Sequence, residues 1–259
     1  MSKKKHPILM VIIILGVVVI FLGLIMGIIV TLAGPSLSLF FGEKIGIILI
    51  EGPIRDASST LSQLDKFKKD KKIKAIILRI DSPGGGVGPS QEIYREITRT
   101  RRVKKVIASM GGVAASGGYY IAAAANKIVA NPGTITGSIG VIMEFVRLEE
   151  LLTKLGVGLE VLKTGEFKDI GSPHRKMSDR EKALIKDLIF DIKDQFVVAV
   201  AKGRNLSKEK VDKIADGRIL TGAQAKNLGL VDMLGNFQDA VDLTKKMTGI
   251  RGDPILVYS

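Results

Sequence analysis

The chain has 259 residues, 46% of them hydrophobic, and a formal net charge of +13. This length allows a sizeable core, and the composition argues against disorder. Cysteine is absent and only two histidines occur, which excludes disulfides and cysteine nucleophiles and disfavours a zinc site. We predict no metal and no other cofactor. No nucleic-acid-binding motif accompanies the basic charge, so we expect membrane lipid rather than nucleic acid as a partner.

An apolar segment begins close to the amino terminus. Residues 8–33 contain Thr31 as the only clearly polar side chain, and a membrane-spanning helix needs about 20 apolar residues. The apolar region of a signal peptide is usually only ~7–15 residues long. The lysines at 3–5 favour a cytoplasmic amino terminus. We therefore predict a basic cytoplasmic tail over 1–7, a single transmembrane helix over 8–33, a linker over 34–43 and an extracytoplasmic domain over 44–259.

Strand-like and helix-like segments alternate after the linker. Apolar runs over residues 44–50, 73–80, 105–109 and 127–130 are typical of buried strands. The segments between and after them predict helices over residues 58–69, about 89–101, from 116 onward, about 147–155, 178–202 and about 236–247, with one more strand over 159–163. Such alternation indicates an α/β fold rather than a β-sandwich.

Glycines surround Ser116, where the third predicted strand gives way to a helix. Glycine lets another backbone approach closely, and the first N–H groups of a helix have no intrahelical acceptor. Those donors can stabilise an oxyanion, which makes Ser116 a candidate nucleophile. The glycines at 84–86 follow the second strand without the spacing of a nucleotide-binding loop, and they could supply further donors. The alternative interpretation is a tightly packed turn in which Ser116 only caps the helix.

A serine nucleophile also needs a general base. His6 precedes the apolar segment, so His174, in a polar turn, is the one histidine that follows it. Lys168 has apolar neighbours, and partial burial would favour the neutral amine that a base requires. The adjacent Asp169 opposes this unless the two side chains diverge. The residues alone leave both bases open.

Four motifs follow one another along the chain: DSPGGG from Asp81, AASGGYY from Ala114, TGSIG from Thr136 and GEFK from Gly165. In order and spacing they resemble the signal peptide peptidase A family, which comprises membrane-anchored proteases of the ClpP/crotonase fold. The resemblance covers about residues 44–232. The length is similar to that of the short, single-unit form of the family.

The resemblance implies a role for each motif. Ser116 matches the nucleophile, Lys168 the general base, and Ser138 the serine that orients the lysine amine, while the N–H groups of Gly85 and Gly117 would form the oxyanion hole. It also implies a spiral of repeated ββα units and a homo-oligomeric ring, expected to be an octamer, in which neighbouring subunits help to build each site. The implied substrates are remnant signal peptides and other extended apolar segments.

Three other functions stay open at this point. A crotonase-like acyl-CoA enzyme would share the fold, but the apolar segment and the Ser116–Lys168 pair argue against it. A related protease that processes one specific membrane protein, and a non-catalytic membrane-tethered scaffold, are the other two.

Overall fold

The computed structural model describes residues 7–32 and 43–258. Pro7–Leu32 forms one continuous helix, α1, and side chains 10–28 are all exposed. The helix is long and apolar enough to cross a membrane. Most of the predicted basic tail and linker lies outside the described residues.

The remaining described residues form an α/β domain around a sheet of eight strands. In chain order its elements are β1 (Lys44–Glu51), α2 (Ser58–Lys69), β2 (Ile73–Ser82), α3 (Val87–Thr100), β3 (Lys105–Ala115), α4 (Gly117–Ala123), β4 (Lys127–Ala130), β5 (Ile135–Gly137), α5 (Glu149–Lys154), α6 (Asp179–Arg204), α7 (Lys208–Asp212), β6 (Ile219–Thr221), α8 (Gly222–Asn227), β7 (Met233–Leu234), α9 (Phe237–Thr248) and β8 (Ile255–Tyr258).

The central strands run parallel in the order β5-β3-β2-β1-β8, and β4 pairs with β3 and β7. Only β6, at one edge of the described sheet, is antiparallel to its neighbour, β5. Apolar side chains bury β1 and β2 on both faces, as expected for a parallel sheet covered by helices. One core lies beneath α2, α3, α4 and α6, and a second lies beneath α9 on the other face. The carboxyl ends of the parallel strands therefore share one edge of the sheet.

The sequence-based predictions hold for most elements and are wrong for one. The strands over 44–50, 73–80 and 127–130 and the helix over 58–69 are confirmed. The strand predicted over 159–163 is wrong, because residues 157–163 adopt no regular structure and are exposed. Within the part of the chain that the structure describes, no strand lies beside them to complete a hydrogen-bonded ladder. The predicted helix over 147–155 is shorter and spans Glu149–Lys154.

Candidate active site

Ser116 stands between the carboxyl end of β3 and the first residue of α4. Its backbone lies in an unusual region, with φ 51° and ψ −120°, which a residue with a Cβ adopts only under constraint. The Ser116 N–H donates to the carbonyl of Gly137 at 2.9 Å. The side chain makes no capping hydrogen bond to α4. The interpretation of Ser116 as an ordinary helix cap is therefore wrong, and its half-buried hydroxyl is available for other chemistry.

The pairing of β3 with β5 brings a second serine beside the first. Ala115 is the register partner of Gly137, so Ser116 and Ser138 follow neighbouring parallel strands at the same edge. Ser138 also has a positive φ, 49°, and its N–H donates to the Arg218 carbonyl at 2.8 Å. Both serines line one open cleft of about 730 Å³.

The glycine turn after β2 leaves one backbone donor unused. The Gly84 N–H donates to Ser82 Oγ at 3.2 Å, and the Gly86 N–H donates to the Ile54 carbonyl at 2.8 Å. Among the described residues, the Gly85 N–H has no hydrogen-bond partner. Because these bonds fix the residues on either side of Gly85, its N–H direction is fixed as well.

The two glycine turns are in direct contact. A Cβ added to Gly84 would lie 2.7 Å from the Gly117 nitrogen and 2.8 Å from Ser116 Cβ. A Cβ added to Gly117 would lie 3.2 Å from the Gly85 nitrogen. As the first residue of α4, Gly117 also has an N–H without an intrahelical acceptor. Two backbone donors thus lie close together beside the Ser116 side chain, an arrangement that can stabilise a developing oxyanion.

A small pocket of about 30 Å³ borders Ser116 and is closed by apolar side chains. The rings of Tyr120 and Phe196 pack with centroids 4.7 Å apart, and Val87 and Ile192 complete much of the wall. Burial raises the pKa of Tyr120, so its hydroxyl stays protonated at neutral pH and is not a base. The pocket has room for a small side chain only. Sequence reasoning missed Phe196, which resembles any other apolar residue of a long amphipathic helix.

Neither predicted base lines the two cavities that Ser116 borders. Lys168 is exposed, its backbone N–H donates to the Gly165 carbonyl at 3.2 Å, and it lines neither cavity that Ser116 borders. His174 lies with Nδ1 2.8 Å from Ser172 Oγ and lines neither cavity. The predicted serines and glycines line these cavities together, and neither predicted base does.

Ion pairs fix the segment that carries Lys168. Arg175 donates from Nε and Nη2 to the two carboxylate oxygens of Asp169, both at 2.8 Å, and from Nη1 to Glu181 Oε2 at 2.8 Å. Lys163 Nζ donates to Asp169 Oδ1 at 2.6 Å. These bonds from Arg175 and Lys163 hold the pKa of Asp169 well below its usual range. The Asp169 carboxylate is therefore occupied by cations other than Lys168.

A second lysine, not considered in the sequence analysis, lines the cleft with both serines. Lys193 lies on α6, and its Nζ is 2.9 Å from Asp212 Oδ1. This ion pair holds the amine against Asp212. In the described parts of the chain, no three acidic or histidine side chains are grouped to hold a metal ion.

Comparison with known proteins identifies the family. The model of peptidase family S49 matches residues 98–251, and the Clp protease model matches residues 40–134. The two matches together span all of the site elements described above. The predicted ClpP-like α/β fold is therefore confirmed.

Individual relatives match much of the domain. The chain is 47% identical to "Putative protease slr0021" of Synechocystis sp. over 82% of this chain and 77% of the relative. It is 34% identical to "Putative protease MJ0651" of Methanocaldococcus jannaschii over 99% of this chain and 86% of the relative. It is 41% identical to "Putative signal peptide peptidase SppA" of Enterococcus faecium over 76% of this chain, but spans only 58% of that relative. With Ser116 at a strained turn beside two backbone donors, the chain is a serine protease that belongs to peptidase family S49.

Proposed function

We propose that this protease cleaves extended peptides with Ser116 as nucleophile and Lys168 as general base. Ser116 Oγ attacks the scissile carbonyl while neutral Lys168 takes its proton, and the N–H groups of Gly85 and Gly117 bind the oxyanion. The peptide C–N bond then breaks, Lys168 returns the proton to the leaving amine, and water hydrolyses the resulting ester. Ser138 orients the lysine amine. The observation that carries this proposal is the pair of N–H groups, of Gly85 and Gly117, that lie beside the Ser116 turn without a hydrogen-bond partner among the described residues.

We further propose that Lys168 reaches the Ser116 of a neighbouring copy in a ring. The segment that precedes Lys168 carries large apolar side chains that are more than half exposed: Ile142, Val146, Leu151, Leu155, Leu159 and Leu162. A row of this kind marks a protein–protein contact. The separation of Lys168 from both Ser116 cavities within one chain supports the same arrangement. Eight subunits stay the expected number.

The proposed substrates are remnant signal peptides and other extended apolar segments close to a membrane. The open cleft beside Ser116 suits an unfolded chain. Helix α1 supports membrane anchoring by its length and composition. The lysines at 3–5 support a cytoplasmic amino terminus with the protease domain on the other side.

Labelling with a serine-reactive acylating probe tests the nucleophile, and cleavage of an unfolded peptide tests the base. The full chain should be labelled, Ser116→Ala should not, and the exposed Ser62→Ala should match the unaltered protein. Lys168→Ala should lower kcat/KM by roughly 10²–10⁴-fold, while His174→Ala and Lys193→Ala retain most activity. Labelling of Ser116→Ala would exclude Ser116 as the nucleophile. If His174→Ala or Lys193→Ala lost activity and Lys168→Ala did not, the residue replaced in the inactive variant would be the general base instead of Lys168. An absence of labelling and cleavage in the unaltered chain would favour a scaffold.

A further inference from the structure

Two cation-rich segments precede neighbouring strands of the sheet. Residues 66–74 join α2 to β2, and residues 99–105 join α3 to β3. Together they contain eleven lysines and arginines, with Asp70 as the only carboxylate. We call these two segments the basic face.

The strand register places the two segments side by side. Lys44 pairs with Ile73 in β2, and Ala75 pairs with Lys105 in β3. The basic face therefore lies at the amino ends of the parallel strands. Ser116 follows the carboxyl end of β3, so it lies at the opposite ends of these parallel strands. A strand of ten residues is about 33 Å long, which approximates the distance between these ends.

Some cations of the basic face are paired within the fold, and others are not. Lys69 pairs with Asp65 at 2.6 Å, and Lys104 Nζ donates to the Phe67 carbonyl at 2.6 Å. Among the described residues, four side chains of the basic face are exposed and make no ion pair or hydrogen bond: Lys71, Lys72, Arg102 and Lys105. These unpaired positive charges lie on one face and repel one another. An anionic surface beside them would offset the repulsion.

The path of the chain brings this same end of the sheet close to a membrane. Strand β1 begins at Lys44, beside the basic face, and eleven residues separate it from the end of α1. Eleven residues can span at most about 40 Å in any conformation. We propose that the basic face docks on anionic lipid headgroups of the membrane that α1 spans, with Ser116 directed away from the surface. This proposal rests on the proposed membrane anchoring.

The orientation can be measured because the chain has no cysteine of its own. Val103 is 68% exposed within the basic face, so Val103→Cys accepts a fluorophore there. Arg55→Cys is the matched position, exposed just beyond the carboxyl end of β1. Each labelled full-length protein is reconstituted into phosphatidylcholine vesicles with and without phosphatidylglycerol. Both preparations carry a lipid with a nitroxide on its headgroup, which quenches nearby fluorophores.

In vesicles that contain phosphatidylglycerol, we expect strong quenching at position 103 and none at position 55. Quenching at position 103 should be absent without phosphatidylglycerol and weaker at high salt. Each cation at the surface favours docking about fivefold, so Lys71→Gln/Arg102→Gln/Lys105→Gln should lower the equilibrium constant for docking about a hundredfold and reduce quenching at position 103. The control Lys186→Gln/Lys210→Gln/Lys213→Gln removes three other exposed cations and should leave quenching unchanged. Equal quenching at both positions, or quenching that does not depend on phosphatidylglycerol, would overturn the proposal and leave a nucleic acid or another protein as the partner.

Two further measurements separate this proposal from the proposed anchoring and activity. Flotation of the full chain with neutral vesicles reports on α1 alone, and failure to float would disprove the anchor. Peptide cleavage in detergent should be unchanged in both triple variants, because none of the substituted residues lines a cavity at Ser116. Normal flotation and cleavage without quenching at position 103 would overturn the docking alone.

Discussion

The backbone at Ser116 is held in its unusual conformation by close contacts on two sides. The Gly137 carbonyl accepts its N–H, and the Gly84–Gly86 turn packs against the following residue, Gly117. Glycine is required at 84 because its φ is +104° and because any side chain would meet the Gly117 nitrogen. The strain is thus coupled to the position of the proposed oxyanion donors.

Replacement of Gly84 by alanine should separate these two turns. The new Cβ must displace the Gly117 nitrogen, so we expect kcat to fall by roughly 10²–10³, the cost of losing one oxyanion donor. Gly88→Ala is the control, because a Cβ there meets nothing within 4 Å. The comparison requires the kcat of peptide cleavage for the two variants, both of them folded. Equal activity would contradict the proposed oxyanion site.

The small pocket beside Ser116 predicts a preference for small side chains at the cleaved position. Ile192→Ala enlarges this pocket, so cleavage after leucine relative to alanine should rise by roughly 10–200-fold. Ile189→Ala is the control, since Ile189 lines the open cleft but not the small pocket. A pair of peptides that differ only at this residue provides the measurement. An unchanged preference in Ile192→Ala would show that the pocket does not receive the side chain.

At the scale of elements, the start of α6 is fixed to the segment that carries Lys168. Ser178 caps this helix, with Glu181 completing a capping box, and Arg175 joins Glu181 to Asp169. The hydrogen bonds from Arg175 and from the Ser178 N–H lower the pKa of Glu181 to about 2. The pKa of Asp169 is lowered as well.

These lowered pKa values determine how stability depends on pH. Both carboxylates contribute stability above their unfolded pKa values, and the contribution is lost as pH falls through the folded values. Arg175→Met should therefore be less stable than the unaltered chain at pH 7, and the difference should shrink as pH falls from about 4.5 toward about 2. Urea unfolding followed by circular dichroism at several pH values measures this difference.

Arg180→Met is the control for that experiment, because the Arg180–Glu166 pair is largely exposed and surface pairs contribute little. It should match the unaltered chain at every pH. A difference between Arg175→Met and the unaltered chain that did not change with pH would mean that packing, not charge, accounts for the role of Arg175.

The elements that the sequence predicted depend on local sequence patterns, whereas those that it missed depend on contacts between distant residues. Strands β1 and β2 are continuous apolar runs between turns, a pattern visible in any short window. The short β5 exists because it pairs with β3 and β6, a long-range contact. Residues 159–163 show the opposite case, since their strand-like composition has no partner strand in the described chain. Local pattern therefore predicted the sheet core better than its edges.

The site divides in the same way. Ser116 and the glycines beside it could be predicted because each follows a predicted strand, at the end where parallel strands converge, whereas Ser138 follows the unpredicted β5 and required the family resemblance. The pocket-closing Phe196 could not, because its contact with Tyr120 joins positions distant in the sequence. The choice between Lys168 and His174 required the family resemblance, since neither residue shows its role through local pattern.

For the whole molecule, the proposed ring makes a specific prediction about mixed assemblies. Ser116→Ala and Lys168→Ala should each be inactive alone. When both are produced together, a Lys168→Ala subunit supplies Ser116 and its Ser116→Ala neighbour supplies Lys168. In a head-to-tail ring of random composition, about a quarter of the interfaces would hold both Ser116 and Lys168. Activity should therefore recover to about a quarter of that of the unaltered protein. Peptide cleavage by the purified mixture, with the molecular mass from light scattering, tests this. No recovery would favour a dyad within one subunit.

The pairing of β8 with β1 also bears on when the protease becomes active during synthesis. Lys44 lies beside Ile255, so the first strand of the domain lacks one neighbour until almost the whole domain has been made. A ribosome adds about 5–20 residues per second, so β8 emerges roughly 10–40 s after β1. During this interval α1 has already left the ribosome, whereas the sheet that supports Ser116 is incomplete. The sheet on which the Ser116 turn is built is therefore completed only late in the synthesis of the domain.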